Sequence, residues 1–162
     1  MQYKQLVAGM IAATLSLFSS AATTASPDTV VGNQTMQDRV IETLRNNPGG
    51  VQTAWNEISW ENGDIVLTLS SELGHLSPLA IPNCPAGQFC AFSGSNYSGS
   101  KVAFSTCLSN HSVATLGAPV LSIANNRSSG NVKGLNNSTV VITVPFNTGA
   151  NTSGTITSLS CS

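Results

Sequence analysis

Cys84-Pro85-Ala86-Gly87-Gln88-Phe89-Cys90 runs through Ala91 into Phe92-Ser93-Gly94-Ser95-Asn96-Tyr97-Ser98-Gly99, and the reading of this stretch decides the fold. Two of the chain's four cysteines bracket it, and the other two, Cys107 and Cys161, follow later. In a small exported chain such cysteines are read first as a disulfide framework, because oxidising compartments convert paired thiols into covalent staples. The glycines, serines and asparagine of the second segment mark a turn between strands. Both features point to a stapled β domain rather than to a catalytic centre.

The first 25 residues support export. Lys4 supplies a basic start, Leu6 to Phe18 an apolar core, and Ser19 to Ala25 a run of small residues, the order of a cleaved signal peptide. The apolar core is too short for a comfortable membrane span, so the leader is expected to be cleaved after Ala22 or Ala25, with Ala25 favoured, and the mature protein to have no membrane partner. What remains is enough for one domain with an ordinary core. Charged residues make up only 8% of the chain, against about 25% in typical soluble domains. With a net charge of −1 and no basic patch, nucleic acid is excluded as a partner.

Residues 26–34 read as a disordered lead-in. Thr35 stands three residues before Asp38, and Met36, Val40, Ile41 and Leu44 recur at helical spacing, which predicts a helix over 36–46. Asn46-Asn47-Pro48-Gly49-Gly50 ends it. Asn56–Glu61 and Asp64–Leu69 then flank Asn62-Gly63, the signal of a type I′ hairpin that sets Trp60 opposite Ile65 and Ile58 opposite Leu67. Residues 70–83 read as a linker, closing a helix, hairpin and linker region over 35–83. Beyond Cys84, strands are expected at Phe89–Phe92, Lys101–Phe104, Asn131–Leu135, Thr139–Val144 and Thr155–Leu159, rich in the residues strands favour. An all-β sandwich over 84–162 accommodates them.

A degenerate repeat bears on the cysteines. Phe92 to Gly99 resembles Phe146-Asn-Thr-Gly-Ala-Asn-Thr-Ser-Gly154, and Cys107 and Cys161 follow the two final glycines at nearly equal distances. Equivalent positions in paired motifs would lie close together, so Cys84–Cys90 and Cys107–Cys161 are the expected bridges among the three pairings that four cysteines allow.

Phe92, Tyr97 and Gly99 match the aromatic–x4–aromatic–x–Gly signature of βγ-crystallin Greek keys, in which a later serine ties down the folded hairpin; Ser122 is the matching serine. Cys-Pro-Ala-Gly-x-x-Cys with the following Ser-Gly pairs is narrower. It resembles the secreted peptidase inhibitor family typified by the Streptomyces metalloproteinase inhibitor. The resemblance implies a mainly β, βγ-crystallin-like Greek-key sandwich preceded by a short helix and a β-hairpin. It also implies a non-catalytic, cofactor-free inhibitor whose partner is an extracellular metallo- or serine protease. The alternative is a crystallin-like structural or cell-surface binding module. The family's type member presents its reactive bond on a loop closed by a second short-range disulfide, which this chain lacks, so no reactive residue transfers. The loops around residues 108–120 and 145–154 are the positions to test.

Other chemistries fare poorly. Calcium needs several oxygen ligands, preferably carboxylates, yet residues 73–162 contain no Asp or Glu, and Asn125 and Asn126 read as turn formers. In the crystallin register set by Ser122, Ala118 and Pro119 stand where ligands would be. His75 and His111 are the only histidines and lie in no zinc-like cluster; both read as surface loop residues. No serine is paired with a recognisable base and acid. Glu57, Glu61 and Asp64 read as solvated charges around the hairpin turn, Trp60 as core and Trp55 as more open. Asn33, Asn96, Asn110, Asn126, Asn136, Asn137 and Asn151 begin Asn-x-Ser/Thr sequons, of consequence only in a glycosylating host.

Overall fold

The computed structural model describes residues 27–71 and 84–162, with side chains from residue 35 onward; residues 1–25, read as a signal peptide, His75 and most of the expected linker lie outside the described residues. Helix α1 (Pro27–Asn46) starts within the stretch read as a lead-in and ends at the expected stop. Pro27 suits a first turn, where a backbone N–H has no intrahelical partner anyway. At the other end Asn47 donates to the Thr43 carbonyl through its backbone and its side chain, at 2.9 and 3.0 Å, closing the last turn.

Three strands follow, β1 (Val51–Ala54), β2 (Glu57–Trp60) and β3 (Ile65–Thr68). The β2–β3 register is the expected one, with Trp60 opposite Ile65 and Ile58 opposite Leu67. Asn62 and Gly63 both take positive φ, 55° and 103°, and the Asp64 N–H donates to the Glu61 carbonyl at 3.2 Å. Positive φ at both central residues is what a type I′ turn requires, and it explains the Asn-Gly pair. Glu61 is left-handed as well, so the strands stop one residue short on each side of the expected hairpin.

The remaining strands are β4 (Phe89–Phe92), β5 (Lys101–Phe104), β6 (His111–Ser112), β7 (Ser122–Asn125), β8 (Asn131–Asn136), β9 (Thr139–Pro145), β10 (Thr148–Asn151) and β11 (Ser158–Cys161). They form two antiparallel sheets. One is seven-stranded, ordered β1-β2-β3-β5-β4-β7-β10, and the other four-stranded, ordered β6-β11-β8-β9. The described residues are therefore mainly β with one α-helix. The last strand starts at Ser158 rather than Thr155, and β1, β6, β7 and β10 were not expected from the sequence.

The helix–hairpin region is continuous with the cysteine-bearing half. Strand β3 pairs along β5, Ile65 facing Phe104 and Thr68 facing Lys101, and so covers an edge that would otherwise offer unpaired backbone groups. Met36 and Val40 on α1 join Ile58, Trp60, Leu67, Phe89, Phe104, Ile123, Val132, Val144 and Leu159 in a single buried cluster. Trp60 is held in it by its indole N–H, which donates to the Asn47 carbonyl at 3.1 Å.

Leu67 is fully buried in that shared core, so Leu67→Ala should destabilise the protein by about 2–5 kcal/mol. In urea, Trp fluorescence and far-UV ellipticity should fall together in both proteins. Two separate transitions would show that the hairpin folds independently of the rest.

Candidate functional site

Strand β4 is buried along its whole length, and its two faces meet different neighbours. Phe89 and Ala91 enter the core between the sheets, whereas Cys90 and Phe92 form a second cluster with Cys84, Ala103 and Ala124. The Cys84–Cys90 disulfide closes the loop over this second face. Asn126 holds that loop in place: its side chain donates to the Cys84 carbonyl at 2.7 Å, its N–H to Gln88 at 2.9 Å, and its carbonyl accepts from Gly87 at 2.8 Å.

The segment from Phe92 to Gly99 folds back on the same face. The Phe92 and Tyr97 rings meet edge to face with centroids 5.8 Å apart. Gly99 has φ +76°, and a Cβ there would strike the Ser93 hydroxyl, so this close return of the chain needs glycine. Ser122, fully buried on β7, accepts from the Tyr97 N–H at 2.9 Å and donates to the Gly94 carbonyl at 2.7 Å. One hydroxyl thus ties both arms of the turn to the sheet.

Several residues differ from their sequence reading. Asn125 does more than form a turn. Its side chain accepts the Arg127 N–H at 3.4 Å, as a turn-forming asparagine does, but the residue also ends β7 fully buried and donates to the Val144 carbonyl at 3.2 Å, joining the two sheets. The repeat does not persist in conformation: residues 95–98 form a tight turn with Asn96 and Tyr97 at positive φ, whereas the corresponding part of the second motif is strand β10. Phe92 is buried while Phe146 is 51% exposed. The two motifs do touch, since the Asn96 N–H donates to the Asn151 side chain at 2.8 Å. The second bridge is Cys107–Cys161, as expected, and spans 54 residues.

His111 lies inside the protein and not on its surface, at 6% exposure. Its ring packs against Phe89 and Phe104, with centroids 5.2 and 4.7 Å away. Nε2 accepts the Leu108 N–H at 3.1 Å, and the ring also hydrogen-bonds the Thr106 backbone. Both sides of a neutral imidazole are thus in use, clamping residues 106–108 onto the core. Burial pushes the His111 pKa below its ordinary value; the Thr106 bond and the carboxylates of Glu61 and Asp64 oppose that shift.

Around this clamp lies an exposed segment, Ser105 to Asn110, with Thr106 half-buried. Ser105 donates through its N–H to the Asp64 carbonyl at 3.0 Å and through its hydroxyl to the Asp64 carboxylate at 2.7 Å. That bond and one from Thr106 hold the Asp64 pKa below the usual carboxylate value. The Leu108 carbonyl accepts the Cys161 N–H at 2.9 Å. Arg127 lies against both sulfurs of the Cys107–Cys161 bridge, 3.2 Å from that of Cys107.

The two loops singled out from sequence are only partly loops. Within 108–120 lie β6 and a 3₁₀ turn whose Leu116 is buried, and within 145–154 lies β10, paired to β7. Leu108 and Phe146 in these segments are exposed apolar side chains, as are Trp55, Val51, Ile41, Leu121, Val140 and Val141 elsewhere. An open groove of about 460 Å³ lies between α1 and the Ala114–Leu116 turn, lined by Arg39, Glu42, Thr43 and Thr115 among others. Among the described residues no three His, Cys, Asp or Glu side chains converge as metal ligands would.

In comparison with known families, the model of peptidase inhibitor family I36 matches residues 78–159. The chain belongs to peptidase inhibitor family I36. Neither the curated proteins nor the solved structures contain a match. The family region begins beyond the hairpin, yet β3 pairs with a strand inside it, so the sheet of this inhibitor-family protein is completed by residues outside the family match.

Two consequences are measurable. Ser122→Ala would leave the Tyr97 N–H and the Gly94 carbonyl without this partner and should lower stability by about 1–3 kcal/mol in urea titration. The second concerns pH. An unfolded histidine titrates near 6.5 and folded His111 below that, so the unfolded state takes up the proton first. The stability His111 gives in its neutral form is present above that value and is lost as pH falls through it towards the folded pKa. The melting temperature should therefore drop between pH 7.5 and pH 5, a window that lies above the ordinary range of Asp64. His111→Gln, whatever its absolute stability, should flatten that slope; an unchanged slope would assign it elsewhere.

Proposed function

We propose that this protein is a secreted, non-catalytic inhibitor of an extracellular protease of the metallo or serine class. The observation that carries the reading is the family membership over residues 78–159. The geometry supplies what such an inhibitor needs. Two disulfides, two packed sheets and a turn tied by Ser122 hold surface segments in fixed shapes, so little conformational entropy is lost when a protease engages them. The Phe92–Tyr97–Gly99 turn with its Ser122 tether also supports a βγ-crystallin-like Greek-key arrangement. Two disulfides and an N-terminal leader-like segment favour an oxidising, extracellular setting.

One observation favours the alternative, a surface-binding module without inhibitory activity: the Cys107–Cys161 bridge spans 54 residues and closes no small loop. Titration of the oxidised protein against thermolysin-like and subtilisin-like proteases separates the two. Saturable inhibition that disappears on reduction is the expected result. Slow digestion with no inhibition of either class would favour the binding module.

A further inference from the structure

We propose that the Cys107–Cys161 bridge is a thiol–disulfide exchange site, opened by a small thiol that attacks Cys107 while Arg127 stabilises the departing Cys161 thiolate. The inference stands apart from the inhibitor reading, because its chemistry is that of the bridge itself.

The two disulfides have different surroundings. Cys84 is 4% exposed and Cys90 fully buried, clustered with Phe92, Ala103 and Ala124 under a loop that Asn126 clasps through side chain and backbone. That burial shields the bridge from a thiol in solution. At the other bridge Cys107 is exposed, whereas Cys161 is only 7% exposed. Exchange depends on which sulfur can be reached, so Cys107 is the sulfur attacked and Cys161 the one that leaves.

Charge favours the same bridge. The Arg127 guanidinium lies against both of its sulfurs and has no Asp or Glu partner among the described residues. A cation beside a sulfur stabilises its thiolate, and a more stable thiolate is a better leaving group. From Val102 to Asn126 there is no Asp or Glu, so the segment around Cys107 sets no carboxylate of its own against an incoming thiolate.

The reagent thiolate bonds to the Cys107 Sγ as the Sγ–Sγ bond breaks, and the electron pair of that bond leaves on Cys161. A second reagent thiolate then attacks the reagent-derived sulfur of the mixed disulfide and releases the Cys107 thiolate. Two reagent thiols are oxidised to one disulfide, the bridge takes up two electrons, and the protons given up by the reagent end on the two cysteines.

Opening the bridge leaves its surroundings connected. The Cys161 N–H keeps its bond to the Leu108 carbonyl, β11 keeps its pairing with β8, and the Cys84–Cys90 bridge stays closed. The two thiols therefore remain neighbours and re-form the bridge on oxidation. What is lost meanwhile is the covalent hold on residues 105–110, so the site gives reversible control over the rigidity of that segment.

The test treats the full oxidised protein under native conditions with β-mercaptoethanol, quenches samples with iodoacetamide and maps the cysteines by mass spectrometry. Cys107–Cys161 should open about tenfold faster than Cys84–Cys90, or more, at a rate proportional to reagent concentration. The first product should carry the reagent on Cys107 and the alkyl group on Cys161. Arg127→Gln should slow the opening by about three- to tenfold, and Arg127→Lys, which keeps the charge, by less. Equal rates at the two bridges or earlier loss of Cys84–Cys90 would overturn the site, as would a rate independent of reagent concentration, which marks global unfolding. Reagent found first on Cys161 would overturn the direction of attack. An Arg127→Gln protein that opens as fast as wild type, or faster, would overturn the role of the guanidinium. The wild-type map and its concentration dependence decide the first two points without any variant having to fold.

Discussion

A strand buried on both faces must be sealed on both, and that requirement at β4 organises the protein. On one side, Phe89 and Ala91 need the opposite sheet, the helix and the hairpin. On the other, Cys90 and Phe92 need a lid. The chain supplies the lid locally, from the disulfide loop before the strand and the turn after it. Ser122 and Asn126 then fasten both pieces to β7 and the residue that follows it. Loss of either fastening would expose aromatic surface, not merely loosen a loop. The low charge of the chain is compatible with this design, because polar side chains are spent on backbone groups in turns rather than on ion pairs.

His111 shows how a polar group can be buried at little cost and then used. Between two phenylalanines its charged form is disfavoured, and its neutral form is satisfied because it bonds both Leu108 and Thr106. A buried imidazole with both sides occupied is a rigid connector. It transmits the order of the core to a segment, Ser105 to Asn110, that has no regular strand of its own.

Features fixed by local chemistry were legible in the sequence. Asn62-Gly63 set the hairpin phase, and the phase set the Trp60–Ile65 and Ile58–Leu67 pairs. Cysteines six residues apart around a Pro-Ala-Gly turn found each other. Features fixed by tertiary packing were not. Ser122-Ile-Ala-Asn125 is in the larger sheet but lacks alternation and has Ile123 as its one strong strand former, since all four residues are buried and two of them are polar. His111 sits among serines and asparagines, and only Phe89 and Phe104, distant in sequence, bury it. The Cys107–Cys161 pair was reached through a repeat whose two copies fold differently, so the pairing agrees but the resemblance of the motifs does not explain it. At the candidate site, an uncharged loop beside a cysteine could be noticed; its rigidity could not, because it comes from Asp64 and Cys161 elsewhere in the chain and from a nearby histidine that only Phe89 and Phe104 hold in place.

The hairpin outside the family match bears on how the site is held. Asp64 closes its turn and also accepts two hydrogen bonds from Ser105, where the exposed segment begins. Strand β3 lies along β5, which leads directly into that segment. Residues 51–68 therefore cover a sheet edge and fix one end of residues 105–110, while the Cys107–Cys161 bridge and His111 fix the middle and the far end. A scaffold with only the family-matched residues, 78–159, would keep the Cys84–Cys90 disulfide but lose both the Asp64 restraint and Cys161, the partner of Cys107. His111 alone of the three restraints would remain, and the entropy that folding has already removed would instead be lost on binding.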